Sequence, residues 1–392
     1  MIQLPDQKLC CACGACLQAC PVKCITFIHD AEGFEYPSVN QAICTKCGRC
    51  EQVCPVLKPY ESQETLSAYG VINTDKKVRL ESSSGGVFHV LANEVLRDGG
   101  IVVGAMFNEN FTLRHQCITD SSMLQHLCGS KYIQSSNTQA FCQVRDYLKQ
   151  NKKVLFTGTP CQVAGLRRFL GQDYPTLLTA DFFCHGVPSP KVWQRFLDEV
   201  LAQKNMSYED VASISFRNKD KGWREYQFVM KLKSGQQVAI SHRRNAYQRA
   251  FDENLTLRPS CYNCPARAGR SHSDLTLADF WDVARVRPDI DDNKGVSLVL
   301  FNTQRGKEAL NHDGLICFNT DVEEALRHNS AFRAEHSIPH PQRTHFFEQL
   351  SSAASVAALI EQSLYLPLRQ RLTKELSLRI YLFKQHLMRL LK

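Results

Sequence analysis

Two copies of one cysteine spacing occupy the first 55 residues of this chain. The first is Cys10, Cys13, Cys16 and Cys20 followed by Pro21; the second is Cys44, Cys47, Cys50 and Cys54 followed by Pro55. Both read C-x2-C-x2-C-x3-C-P, in which three close thiolates converge on one face of a 4Fe–4S cube and the fourth ligates the neighbouring cube. The spacing therefore predicts Cys10, Cys13, Cys16 and Cys54 on one cluster, and Cys44, Cys47, Cys50 and Cys20 on the other. Zinc knuckles pair one C-x2-C with a distant second pair, and disulfides need no doubled register. Clusters of this kind move electrons one at a time.

Four further cysteines stand beside Pro or Gly turns. Cys161 lies in Thr157-Gly158-Thr159-Pro160-Cys161-Gln162, Cys184 in Phe183-Cys184-His185-Gly186, and the last two form Cys261-x2-Cys264-Pro265. The set reads as ligands of a third cluster, with zinc as the alternative. Cys11, Cys24, Cys117, Cys128, Cys142 and Cys317 follow no pattern and read as structural. A second feature is Ser82-Ser83-Ser84-Gly85-Gly86 before the apolar-periodic Val87, Phe88, Val90 and Leu91. Small residues at a helix start leave backbone N–H groups free to hold an anion, although most such loops are only caps. Polar and aromatic residues in turn-like contexts form a third group: Gly129-Ser130-Lys131-Tyr132, Phe216-Arg217-Asn218-Lys219 and Ala278-Asp279-Phe280-Trp281-Asp282.

These residues need elements to hold them. Residues 1–60 form a two-cluster ferredoxin domain, small because its clusters serve as its core, and Glu61–Thr65 reads as a linker. From residue 67 strands and helices alternate. Ile101–Phe107, Lys153–Gly158 and Leu177–Phe183 read as buried strands, so Cys161 and Cys184 fall at strand carboxyl ends, where open α/β sheets place their sites. Helices are expected from Cys161 to Leu170 and after Ser189-Pro190, an N-cap with proline at the first helical position. Val211–Phe216, a hairpin over Tyr226–Ile240 turning at Ser234-Gly235, and Val296–Phe301 complete the strands. The fold class is α+β: a bacterial-type ferredoxin module, a mixed α/β domain over 67–340, and a helical tail over 345–392.

Free thiols in this number, with no amino-terminal export signal, imply a reducing cytoplasm. No 18-residue apolar run spans a membrane. The net charge is +8, of which residues 366–392 supply +6 through seven Lys/Arg against Glu375. Basic residues spread over a folded face with interleaved aromatics are absent, so nucleic acid is not an expected partner. Leu372, Leu376, Ile380, Phe383, Leu387 and Leu390 share one helical face of the tail. That face either docks on its own domain or makes a peripheral contact with the inner face of the membrane.

Taken together, these motifs resemble the beta subunit of coenzyme F-420-reducing hydrogenase and dehydrogenase. The resemblance runs over about residues 5–330, through Ser82–Gly86, Gly129–Tyr132, Gly158–Gln162, Cys184–Pro190, Phe216–Trp223, Cys261–Pro265, Asp279–Trp281 and Asp292–Ser297. It implies FAD, lined by Ser84, Gly85, Gly86, Lys131, Tyr132, Thr157, Gly158 and Thr159. It also implies Cys161, Cys184, Cys261 and Cys264 as ligands of a third 4Fe–4S cluster. Relatives include bacterial proteins associated with surface-polysaccharide synthesis, and that branch is the favoured one, although residues 345–392 have no counterpart in the deazaflavin enzymes.

The expected activity is that of an iron–sulfur flavoprotein oxidoreductase. It would pass single electrons between clusters and FAD for two-electron reduction of a small-molecule or lipid-linked sugar substrate. The alternative is an electron-transfer subunit serving a separate enzyme. No G-x-G-x-x-G follows a strand, so reduced ferredoxin or a deazaflavin is the expected donor.

Overall fold

The computed structural model describes residues 2–310, 313–327 and 337–365. At the amino terminus, β1 (Ile25–His29) pairs antiparallel with β2 (Glu35–Val39). Two short helices, Ala15–Ala19 and Arg49–Gln52, each begin after a left-handed glycine, Gly14 (φ 85°) and Gly48 (φ 74°). Both turns lie inside a cysteine run, where the chain must reverse sharply between ligands.

The larger part is built on eight strands: β3 (Ser67–Asn73), β4 (Ile101–Phe107), β5 (Leu113–Ile118), β6 (Val154–Thr157), β7 (Leu177–Phe182), and, later in the chain, three more. A separate antiparallel sheet of β8 (Val211–Asn218), β9 (Gln227–Leu232) and β10 (Gln237–Ser241) interrupts them. The eight close with β11 (Leu275–Asp279), β12 (Ser297–Phe301) and β13 (Leu315–Thr320), in the order β13-β3-β12-β11-β7-β6-β4-β5. The central neighbours β4, β6, β7 and β11 run parallel, and both flanks are antiparallel. Mixed topology is what alternating helices and hairpins predict. All five residues of β12 are buried, as expected of a strand covered on both faces.

Polar groups lock the sheet from below. Asp274, fully buried before β11, accepts from the Thr179 N–H and hydroxyl, the Thr303 hydroxyl, Arg167 and Arg305. A buried carboxylate is tolerable only with such a complete set of donors.

The amino-terminal module is seated firmly on this sheet domain. Gln18 caps the Ala140–Lys149 helix from outside: its Oε1 accepts from the N–H groups of Phe141 (2.8 Å) and Cys142 (3.1 Å). Asn137 Nδ2 donates to Cys13 O at 3.1 Å. A side chain at Gly14 would strike Asn137 O, its Cβ coming within 1.9 Å, and one at Gly165 would meet Cys13 at 2.8 Å. The segment expected as a linker is itself tied down, through Ser62 to Ala268 O and Gln63 to Gly269 O and Asn302 O.

The carboxyl-terminal boundary needs correction. Residues 345–365 are not part of a separate tail: helices Arg343–Leu350 and Val356–Ser363 bury Phe346, Leu350, Val356 and Ile360 in the same core as Trp193 and Phe196. Amphipathic periodicity marks an apolar face but not what covers it. The expected basic helix over 366–392 lies outside the described residues. Among those residues no helix is long and apolar enough to cross a membrane.

Phe346 is fully buried, so Phe346→Ala is expected to destabilise the protein by about 3–5 kcal/mol. Chemical denaturation measures this, and a loss below about 1 kcal/mol would separate the segment from the core.

Candidate redox centres

All 18 cysteines are free thiols. Their surroundings fall into three sets. Cys10, Cys16 and Cys54 are electrostatic neighbours: burial raises the Cys16 thiol well above its usual value, and Cys10 and Cys54 push it further. Cys13 neighbours both Cys16 and Cys54. The second group borders a hollow lined by Cys20, Cys44, Cys47 and Cys50, open at the exposed Cys47. There the Arg49 backbone N–H lowers the Cys47 thiol. Cys24 enters that hollow too, its sulfur 3.4 Å from Cys20.

The third group also comes together. Cys161 lies in the first turn of the Pro160–Leu170 helix, which Thr159 and Gln162 begin with a reciprocal capping box. Cys184 stands just past β7, beside β6, so the two meet at adjacent parallel strand ends. Cys261 and Cys264 come from a short 3-10 helix, Pro259–Asn263, and its cap. Burial, then Cys261, Cys161 and Cys264, hold the Cys184 thiol well above its ordinary value. Burial and Cys264 push Cys261 up to about 12, and burial and Cys161 push Cys264 up to about 11. Four half-buried thiols whose anions would repel one another are suited to a cationic core, which deprotonates its ligands outright.

Cys11, read from sequence as structural, is placed between two groups. Its thiol interacts electrostatically with Cys13 and Cys10 on one side and with Cys161 on the other. Arg258, which no motif marks, joins the same two groups. It is fully buried, and its Nε donates to Cys10 O at 2.7 Å, Nη1 to Gln134 Oε1 at 2.9 Å and Nη2 to Glu35 O at 2.8 Å. Its carbonyl accepts the Cys261 N–H at 2.9 Å. The guanidinium also lies over the rings of Tyr36 (4.4 Å) and Phe34 (5.3 Å). Carbonyl oxygens and rings meet this cation, so its charge remains available to the thiolates around it.

The residues expected around a flavin gather at the same end of the sheet. The Ser130 N–H donates to Ser83 Oγ, and Arg217 joins Ser83 O to the Tyr132 hydroxyl. Lys131 donates to the carbonyls of Leu127, Cys128 and Gly129, and burial pulls it down to about 8. Thr157 donates to Val103 O and accepts from His115 through its carbonyl; burial pulls His115 down to about 4, so it is neutral at pH 7. The Gly158 N–H meets Ala180 O, and Thr159 caps its helix. Gly86 is the N-cap of Val87–Arg97, in the left-handed region that glycine tolerates. Gly85 differs: its N–H is taken by Ser297 Oγ at 2.9 Å, and a Cβ there would come within 2.3 Å of Val71 O. Its role is to seat the loop on β3 and β12. Ser84 likewise donates to Val296 O at 2.8 Å.

Beside this loop stands an aromatic and cationic wall. Trp223 and Trp281 stack at 4.5 Å and 7°, with Trp281 partly exposed. Asp279 accepts from Arg217 (3.0 Å) and Trp223 Nε1 (3.1 Å), and Arg217 lies 4.3 Å over Tyr226. Lys219 donates to Ser84 O (2.8 Å) and Lys294 O (2.6 Å) behind the loop, and burial pulls it down to about 7. These segments were visible in sequence as unusual turns, but not the pairing of Arg217 with Asp279.

Two family models match parts of the chain. Residues 9–57 match the 4Fe–4S dicluster domain, and residues 151–320 match the carboxyl-terminal region of the coenzyme F420 hydrogenase/dehydrogenase beta subunit. Among solved structures, a chain of the F420-reducing [NiFe] hydrogenase complex from Methanosarcina barkeri is similar, at 16% identity and a TM-score of 0.46. That likeness covers 76% of this chain and 96% of that one. No curated protein matches.

Arg258→Gln removes the charge and keeps hydrogen-bonding groups. The midpoint potential of the cluster beside Cys10 is expected to become more negative, on the order of 50–100 mV at an effective dielectric of about 20. A redox titration followed by EPR reads this, and an unchanged potential would leave Arg258 a purely structural role.

Proposed function

We propose that this chain, which joins a 4Fe–4S dicluster domain to a coenzyme F420 hydrogenase/dehydrogenase beta-subunit domain, is an FAD-dependent iron–sulfur oxidoreductase. The observation that carries the reading is the continuity of thiol groups from the exposed Cys47 to the half-buried Cys161–Cys264 set, with Cys11 between the inner two. Cys10, Cys13, Cys16 and Cys54 would hold one 4Fe–4S cluster, and Cys44, Cys47, Cys50 and Cys20 the next. Cys161, Cys184, Cys261 and Cys264 would hold a third. FAD would lie against the Ser83–Gly86 loop, Lys131, Tyr132 and the Thr157–Thr159 turn. When bound, the clusters supply one-electron transfer and the flavin pairs two such electrons for a substrate.

The chain's own residues set the conditions. Arg258 and the Gln18 and Asn137 contacts hold the inner thiol groups at fixed separation. Lys131, held on three backbone carbonyls, would present positive charge where a reduced, anionic ring would need it. The Trp223–Trp281 stack offers a flat face for a second ring. Reduced ferredoxin or a deazaflavin is the donor this arrangement suits. A role in surface-polysaccharide assembly rests on the sequence resemblance, and turnover with lipid-linked sugars tests it.

Anaerobically purified protein is expected to hold about 12 iron and about 12 acid-labile sulfide per chain, with one non-covalent FAD. Iron near eight would remove the third cluster, and stoichiometric zinc would replace it. Cys261→Ser is expected to lower iron to about eight while leaving the EPR signals of the dicluster domain. Retention of all iron and of flavin reduction by a one-electron donor would show that the ligation is misassigned.

A further inference from the structure

A groove of about 650 Å³ runs beside the dicluster domain. Its wall includes Ala19, Arg49 and Val53, the residues next to Cys20, Cys50 and Cys54. Arg49 also borders the cysteine-lined hollow, so the groove adjoins the thiol group that reaches the surface at Cys47. Four arginines (Arg49, Arg145, Arg167 and Arg168) and His272 line it, against one carboxylate, Asp173.

That carboxylate is already engaged by Arg167 and Arg305. Arg49 is exposed. Arg145 pairs with Asp146, next to it in sequence and exposed; such a pair holds its charges weakly. Arg168 lies 3.7 Å over the Tyr60 ring and donates to Pro59 O, so its charge is oriented without being neutralised. Tyr60 in turn stacks on His272 at 4.3 Å, which fixes the groove's floor.

We propose that this groove is the docking surface for a small acidic one-electron carrier protein. The proposal rests on the relay reading above. Electron transfer falls steeply with distance, so a donor must touch the surface nearest the outermost thiol group. Encounters between redox proteins are small, polar and short-lived, and charge complementarity sets their association rate more than their affinity. An open, arginine-lined groove beside the cysteine runs meets those requirements.

The test uses the full chain with its clusters and a reduced plant-type two-iron ferredoxin, an acidic protein, as probe. Stopped-flow bleaching of the cluster absorbance gives the second-order rate. For the wild type that rate is expected to fall steeply as ionic strength rises past about 0.1 M, where charges are screened beyond about 10 Å. Arg145→Glu/Arg168→Glu is expected to slow it about ten-fold or more at low salt and to flatten the salt dependence. Lys231→Glu, on the separate three-stranded sheet, is expected to leave the rate unchanged. Reduced methyl viologen, a small cation, should bleach every variant at least as fast as the wild type. If the double variant loses iron, Arg145→Glu alone carries the test, with a smaller effect in the same direction.

A ferredoxin rate indifferent to both charge reversal and salt would overturn the proposal. So would a wild type that viologen reduces and ferredoxin does not, while leaving the relay intact. Micromolar binding of inorganic pyrophosphate, lost in the double variant without any change in ferredoxin rate, would make the groove a small-anion site instead. Failure of both reductants to bleach any cluster would sink the relay reading itself.

Discussion

A cation buried without a carboxylate is costly, and Arg258 is such a cation. Water is replaced around it by three oxygens, two of them backbone carbonyls of the dicluster domain, and by the faces of Tyr36 and Phe34. Apart from Gln134, those partners come from the amino-terminal module, while the arginine and its Cys261 contact belong to the sheet domain. Satisfying the guanidinium therefore requires the two parts to be in register. Given that register, Gly14 and Gly165 let backbone approach where any Cβ would intrude, and Gln18 and Asn137 complete the seam. The desolvation cost of one charge is offset by an interface that fixes the spacing of thiol groups.

The sheet supplies the other constraint. Parallel strands β6 and β7 end side by side, and short turns after them carry Cys161 and Cys184 to one place. The same end receives the Ser83–Gly86 loop, Lys131–Tyr132 and the Arg217–Asp279 pair. The third thiol group and the expected flavin position thus share one edge. Asp274, with donors from the Pro160–Leu170 helix, β7 and the loop after β12, holds that edge from the opposite side.

Much of this was legible because ligation and capping are local. The two C-x2-C-x2-C-x3-C-P runs, the Ser189–Pro190 helix start and the buried strands around residues 101, 154 and 177 depend on near neighbours. Arg258 was not legible: its partners lie about 120 to 250 positions away, and no spacing marks them. Cys11 looked like a spare thiol because a motif has no place for it. The Ser-Gly loop was read as a row of free N–H groups, yet Gly85 donates to Ser297, 212 residues distant. Beyond residue 345 a helical tail was expected, and Arg343–Leu350 and Val356–Ser363 are helical, but nothing local says whose core their apolar residues join.

The cap that Gln18 places on the Ala140–Lys149 helix reaches beyond local geometry. That helix has no side-chain cap of its own, so its first N–H groups depend on a residue from a cysteine run more than a hundred positions earlier. Residue 60 divides two sequence motifs without dividing two folding units. Removing the cysteine module would therefore strip a cap from a helix of the sheet domain, so the seam belongs to the structure of both.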